Sequence, residues 1–139
     1  MRLFLDANVL FSAAHSTDGR ARGLFFLAES KFCSLVTSEH AIAEAKRNLM
    51  MKHPSAAAVL EALLIQVIRV SEGGPALVAW AERRGLPEND APILAAAAAA
   101  GTDLLVTGDR RHFGHLYGEI CGGVRIVTLH EALKMVSRS

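Results

Sequence analysis

Leu3-Phe4-Leu5-Asp6-Ala7-Asn8-Val9 runs three apolar residues straight into a carboxylate, with no alternation of apolar and polar positions. Such a short continuous run predicts a strand buried on both faces, as inside a parallel sheet. An Asp at the end of that strand lies at the sheet's carboxyl edge, where open α/β folds form their ligand crevice. One such Asp could simply cap the following turn. The arrangement recurs, however, in Leu104-Leu105-Val106-Thr107-Gly108-Asp109. Two strands that each deliver a carboxylate to one edge suggest a metal site.

Outward from these two strands, the chain alternates strand and helix patterns without a linker-like stretch. Residues 12–19 are small and polar and read as a loop at the crevice edge. Residues 21–30 predict a helix with Leu24, Phe25, Leu27 and Ala28 on its buried side and Phe26 outside. A short strand over 34–37 leads to Ser38, a good N-cap for a helix over 39–51 striped by Ile42, Ala45 and Leu49. Pro54 and Ser55 open another helix, to position 64 or 65, and 66–70 is a third strand. After the Glu72-Gly73-Gly74-Pro75 turn, a short helix over 77–84 ends at Gly85. Leu86-Pro87-Glu88-Asn89-Asp90 leads into an alanine-rich helix that stops at Gly101. A polar segment follows Asp109 as far as Gly123, and 124–127 forms the last strand. Thr128 and Glu131 match a capping box for a terminal helix. The pattern predicts a single α/β domain over 1–139, with a central parallel sheet of about five strands and right-handed crossovers.

Two further acids lie where this fold would carry them to the same edge. Asp90 stands at the start of the alanine-rich helix, where the helix dipole favours a carboxylate. Glu44 sits early in the helix that follows Ser38, near the edge of its apolar stripe. Either alone reads as a cap or a solvated side chain. Together with Asp6 and Asp109 they can converge, and four neighbouring carboxylates are costly without a cation between them. The matching cation is hard and oxygen-loving, magnesium or manganese rather than zinc. The alanines at 95–100 read as helix-forming core packing with no chemistry of their own.

Composition narrows the function classes. The chain of 139 residues suffices for one domain with a real core, and 21% charged residues suit an ordinary soluble protein. The longest apolar run is too short to cross a bilayer, and the N-terminus lacks the pattern of a signal peptide. Cys33 and Cys121 form no CxxC pair and suit free thiols in a reducing compartment, so a cytoplasmic location is expected. A formal charge of +1 argues against a nucleic-acid-coating protein, though a local phosphate-binding patch remains compatible. Ser12, Ser16 and Ser38 have no clear His partner for nucleophilic catalysis. The six histidines show no regular metal-ligand spacing.

These residues resemble the PIN-domain ribonucleases over nearly the whole chain, most closely the VapC-like toxins of bacterial toxin–antitoxin pairs. The resemblance rests on Phe4-Leu5-Asp6-Ala7-Asn8-Val9-Leu10, Ser38-Glu39-His40-Ala41-Ile42-Ala43-Glu44, Asn89-Asp90-Ala91-Pro92-Ile93-Leu94-Ala95-Ala96-Ala97 and Leu105-Val106-Thr107-Gly108-Asp109-Arg110-Arg111-His112-Phe113. It implies a three-layer α/β/α fold and cleavage of RNA phosphodiesters with magnesium, or manganese, held by Asp6, Glu44, Asp90 and Asp109. By the same resemblance Asn8 and Thr107 orient the acids through hydrogen bonds, and Ser38 lines the pocket. A cognate antitoxin and a homodimer are also implied, with no membrane partner. Pro92 departs from the pattern, where a non-proline residue is commoner.

Holding RNA needs cations. Arg110 and Arg111 directly follow Asp109 and are the best-placed phosphate contacts, with His112 a further substrate contact. Arg20 and Arg22 flank the loop after the first strand, and Lys46 and Arg47 follow Glu44; each of these pairs also suits a plain solvated surface. Other classes fit these residues less well. A haloacid-dehalogenase-like phosphatase would want an Asp where Asn8 stands. An idle PIN-like binding module has no use for four acids, and a DNA-directed metal nuclease would need extra DNA-binding elements.

Overall fold

A computed structural model describes residues 1–138. In chain order its elements are β1 (Arg2–Leu5), α1 (Ala7–His15), α2 (Arg20–Glu29), β2 (Ser34–Ser38), α3 (Glu39–Lys52), α4 (Ala57–Leu64), β3 (Val67–Val70) and α5 (Pro75–Glu82). They continue with α6 (Ala91–Ala99), β4 (Leu104–Val106), α7 (Arg110–Phe113), β5 (Ile120–Cys121), β6 (Val124–Val127) and α8 (Leu129–Ser137). Single 3₁₀ turns cover Pro54–Ala56 and Gly114–Leu116.

The apolar run at the start of the chain becomes the middle of the sheet. β1 pairs in parallel with β2 on one side and β4 on the other, setting Leu3 beside Leu35 and Leu104 and Phe4 beside Val36 and Leu105. All of these side chains are buried, which is why the run shows no alternation. The strand order is β3-β2-β1-β4-β6-β5. The chain therefore moves outward from β1 to β3 on one side, then returns to place β4 on the other. This reversal opens a crevice beyond the carboxyl ends of β1 and β4.

The α/β expectation holds, with one strand more. Five strands run parallel, and the sixth, β5, is a two-residue strand antiparallel to β6. It lies in the polar segment after Asp109, where two residues carry too little pattern to announce a strand. Gly122 and Gly123, at φ +58° and +82°, make the tight turn between β5 and β6.

Residues 12–19 are not one loop. α1 continues to His15, and only residues 16–19 connect it to α2. Ala13 and Ala14 look like loop residues in sequence, yet both are buried where α1 packs on α2, α3 and α4. Small side chains permit that close approach. Asp109 also departs from expectation: β4 ends at Val106, and Asp109 is the N-cap of α7.

α3 and α8 begin where their caps predict, whereas α5 begins at Pro75, two residues before the expected start. The Ser38 hydroxyl accepts the Ala41 N–H, and the Thr128 hydroxyl accepts the Glu131 N–H. α6 buries Ala91, Ile93, Leu94, Ala95, Ala96 and Ala97, so it is an interior helix apolar nearly all round. Cys33 and Cys121 are buried, free thiols. No described helix is long and apolar enough to cross a membrane.

Candidate active site

Each of the four acids reaches the crevice from a different element. Asp6 is the N-cap of α1 directly after β1, Glu44 lies on α3, Asp90 precedes α6 and Asp109 caps α7. All four line one cavity of about 380 Å³, together with Asn8, Asn48, Asn89 and His112.

Asp6 is the most deeply held. It is only 1% exposed, and both carboxylate oxygens are engaged. Oδ1 accepts the Ala7 N–H at 2.7 Å, while Oδ2 accepts the Thr107 hydroxyl at 2.8 Å and the Asn8 amide at 3.2 Å. Asn8 in turn accepts the Gly108 N–H at 2.7 Å, and the Thr107 hydroxyl accepts the Asp109 N–H at 3.1 Å. Asn8 and Thr107 thus tie the end of β1 to the loop after β4.

Asp109 accepts the His112 N–H with Oδ1, as a helix cap does. The His112 imidazole Nδ1 lies 2.8 Å from Asp109 Oδ2 and 2.9 Å from Asp90 Oδ2. The His112 Nδ1 thus sits between the two acids, within hydrogen-bond reach of both. The Ser38 hydroxyl caps α3, as its position predicts, and Ser38 is not among the residues that line the cavity. Arg110 and Arg111 are exposed beside the site, and Arg110 faces an adjoining cavity.

The electrostatics of the cluster resist full ionisation. Burial pushes the Asp6 carboxyl up from 3.8 to about 6, against hydrogen bonds from Thr107 and Ala7 that lower it, with Glu44 and Asp90 repelling its charge. Burial also raises Glu44, with Asp90 adding repulsion, while His40 and Arg47 oppose this. Asp90 is raised by burial too, an effect that His112 moderates and Asp109 reinforces.

Such a cluster fits a hard divalent cation. Its donors are carboxylate oxygens with one imidazole and no thiolate, the set preferred by magnesium or manganese over softer metals. Asp90, Asp109 and His112 each offer a ligand atom, all within 4.8 Å of one another. A cation there would relieve the repulsion that raises Glu44 and Asp90.

Two residues escaped the sequence reading. Asn48 shares the crevice face of α3 with Glu44, and their i, i+4 spacing was the available signal. Tyr117 donates its hydroxyl to the Thr107 carbonyl at 3.1 Å, bracing the same loop from behind β4. Nothing local to Tyr117 pointed there.

Solved structures share this architecture. PAE2754 from Pyrobaculum aerophilum aligns over 100% of this chain and 91% of its own, at 20% identity and a TM-score of 0.71. VapBC2 from Rickettsia felis, solved bound to a DNA fragment from its promoter, aligns over 92% and 98%, at 18% identity and a TM-score of 0.67. VapBC-1 from nontypeable Haemophilus influenzae aligns over 94% and 99%, at 14% identity and a TM-score of 0.59. No curated protein matches the chain in sequence. The PIN domain family model matches residues 2–111, a span that opens at β1 and takes in all four acids of the crevice. The chain belongs to the PIN domain family.

Proposed function

We propose that the protein is a divalent-metal-dependent endoribonuclease, and that residues 1–139 form one nuclease domain. The observation that carries this reading is the convergence of Asp6, Glu44, Asp90 and Asp109 on one cavity at the β1–β4 switch point. These four carboxylates would hold magnesium or manganese. Such an ion, when bound, activates water for attack on the phosphorus and stabilises the leaving oxygen.

The chain's own groups prepare the site. Thr107 and Asn8 hold Asp6 in one orientation, so the carboxylate needs little reorganisation to bind a cation. His112 keeps Asp90 and Asp109 together and lies in the cavity wall, where it can also contact substrate. Arg110 and Arg111 supply positive charge for the RNA backbone.

The biological role we infer is that of a toxin restrained by a cognate antitoxin in the cytoplasm, and working as a homodimer. Its support is the likeness of fold to proteins solved as VapBC pairs. An antitoxin side chain with a guanidinium would suit the acidic crevice.

The test is cleavage of a mixed RNA pool by the purified protein with magnesium, with manganese and with chelator. Asp6→Asn and Asp109→Asn variants, checked for folding, run alongside. Metal-dependent cutting abolished in both variants is expected. A folded, antitoxin-free protein that cuts no RNA with either metal would overturn the reading.

A further inference from the structure

A second cavity, of about 520 Å³, adjoins the acidic one at Gly108, which lines both. Its polarity is reversed. Arg20, Arg110 and His130 line it, with Tyr117, Thr128 and Leu129, and no acid is among its lining residues.

The arginines set this cavity apart from ordinary basic surface. Arg22 is committed to the Ala13 carbonyl, Arg69 to Glu39 and Arg125 to the Gly118 carbonyl. The guanidiniums of Arg20 and Arg110 form no ion pair or hydrogen bond with any described residue; Arg47, Arg83 and Arg111 share that freedom, but Arg20 and Arg110 are the two that face one cavity, from α2 and α7. Two guanidiniums facing one cavity that no acid lines give it a positive potential suited to an anion. The cavity also receives the start of α8: Leu129 and His130 are its first two residues, and N–H groups in a helix's first turn have no intrahelical partner. The helix dipole adds to the positive potential there.

A wall common to both cavities connects them. The Thr107 hydroxyl holds Asp6, its carbonyl accepts the Tyr117 hydroxyl, and Tyr117 lines the basic cavity. A polyanion lying across Gly108 would pass from the acidic cluster, which needs a cation, to a pocket that supplies its own.

We propose that this second cavity is a phosphate subsite, holding the RNA phosphodiester next to the one presented to the acidic cluster. Arg20 and Arg110 grip its oxygens, and the first-turn amides of Leu129 and His130 complete the shell. Forked guanidinium donors suit phosphate oxygens, and the volume falls within the roughly 300–1,000 Å³ usual for small-ligand pockets. The subsite rests on the ribonuclease reading for its substrate, and it separates Arg110 from Arg111, which lines neither cavity.

Two measurements test it on the full chain. In the first, a labelled RNA pool is titrated with magnesium into Asp6→Asn protein carrying, in turn, Arg20→Ala, Arg110→Ala or, as a charge-matched control, Arg83→Ala. The two cavity variants should each lose roughly tenfold in affinity. Each should also flatten the dependence of log K on log salt by about 0.7. The control should change neither, and Arg20→Lys should recover part of the loss. In the second, inorganic phosphate is titrated into wild-type protein and into the Arg20→Ala/Arg110→Ala double variant while the Leu129 and His130 amide resonances are followed. Saturable shifts are expected in the wild type only. RNA cleavage by wild-type protein, with no phosphate shifts and no loss in the variants, would overturn the subsite alone. Phosphate shifts in a wild type that neither binds nor cuts RNA would overturn the ribonuclease reading, and the RNA subsite with it.

Discussion

The Thr107 hydroxyl donates to Asp6 Oδ2 at 2.8 Å, joining residues 101 positions apart across the β1–β4 boundary. The same oxygen accepts the Asp109 N–H, so one hydroxyl links two acids of the crevice and fixes their spacing. The link is made where the carboxylate is almost fully buried and where a missing donor has no water to replace it.

Replacing Thr107 with Val keeps the shape and removes that donor. A hydrogen bond to a charged group contributes about 1.5–3 kcal/mol, so the metal-free fold should lose stability of that order at pH 8. At pH 4.5 Asp6 is protonated and the loss should shrink. Urea denaturation at both pH values checks this, and equal losses would count against the Thr107–Asp6 bond as the cause.

Asp6 sets a pH dependence of definite sign. Its carboxyl titrates near 6 when folded and near 3.8 when exposed. Between these values the folded chain keeps a proton that the unfolded chain has released. The metal-free protein therefore loses stability as pH rises through this window and levels off above it. Glu44 and Asp90 are raised as well and act in the same direction. Asp6→Asn, which cannot titrate, should remove much of the slope. Magnesium added at pH 8 should raise the wild-type melting temperature and leave this variant nearly unchanged.

Gly73 passes directly over α6. A Cβ built there would lie 2.5 Å from the Ala95 carbonyl oxygen and 2.8 Å from its Cβ. Backbone cannot yield as a flexible side chain would, so Gly73→Ala should cost about 1–3 kcal/mol by overpacking. Thermal unfolding should show it, and the Gly101→Ala change, which meets no atom but sits at φ +64°, offers a strain-only comparison.

Arg22 and Arg20 lie two residues apart and should behave differently. Arg22 donates from Nε at 3.0 Å and from Nη2 at 2.6 Å to the Ala13 carbonyl in the last turn of α1. Such carbonyls lack an intrahelical partner, so Arg22→Ala should lower stability by about 1–2 kcal/mol without changing the salt dependence of RNA binding. A changed salt slope in this variant would assign Arg22 to the RNA as well.

Much of the site was legible because its acids stand at the ends of elements. Asp6 follows an unbroken apolar run, Asp90 opens an alanine helix and Glu44 follows a good N-cap, so local rules placed each near one edge of a parallel sheet. Asp109 lies at the expected edge, although it caps a short helix rather than ending the strand. Ser38 was legible as a cap, and that is the one role its hydroxyl takes.

Helix caps, strand runs and glycine turns act over a few residues, and for that reason the alternating α/β order and the candidate acids can be read along the sequence. It could not reveal α1 through Ala13 and Ala14, because small residues show their burial only when a neighbouring helix closes over them. The division of Arg20 from Arg22, the bridging of Asp90 and Asp109 by His112, and the bracing of Thr107 by Tyr117 were decided by the tertiary structure. Each depends on which strands lie side by side, and that order is set by the burial of the whole sheet rather than by any one segment.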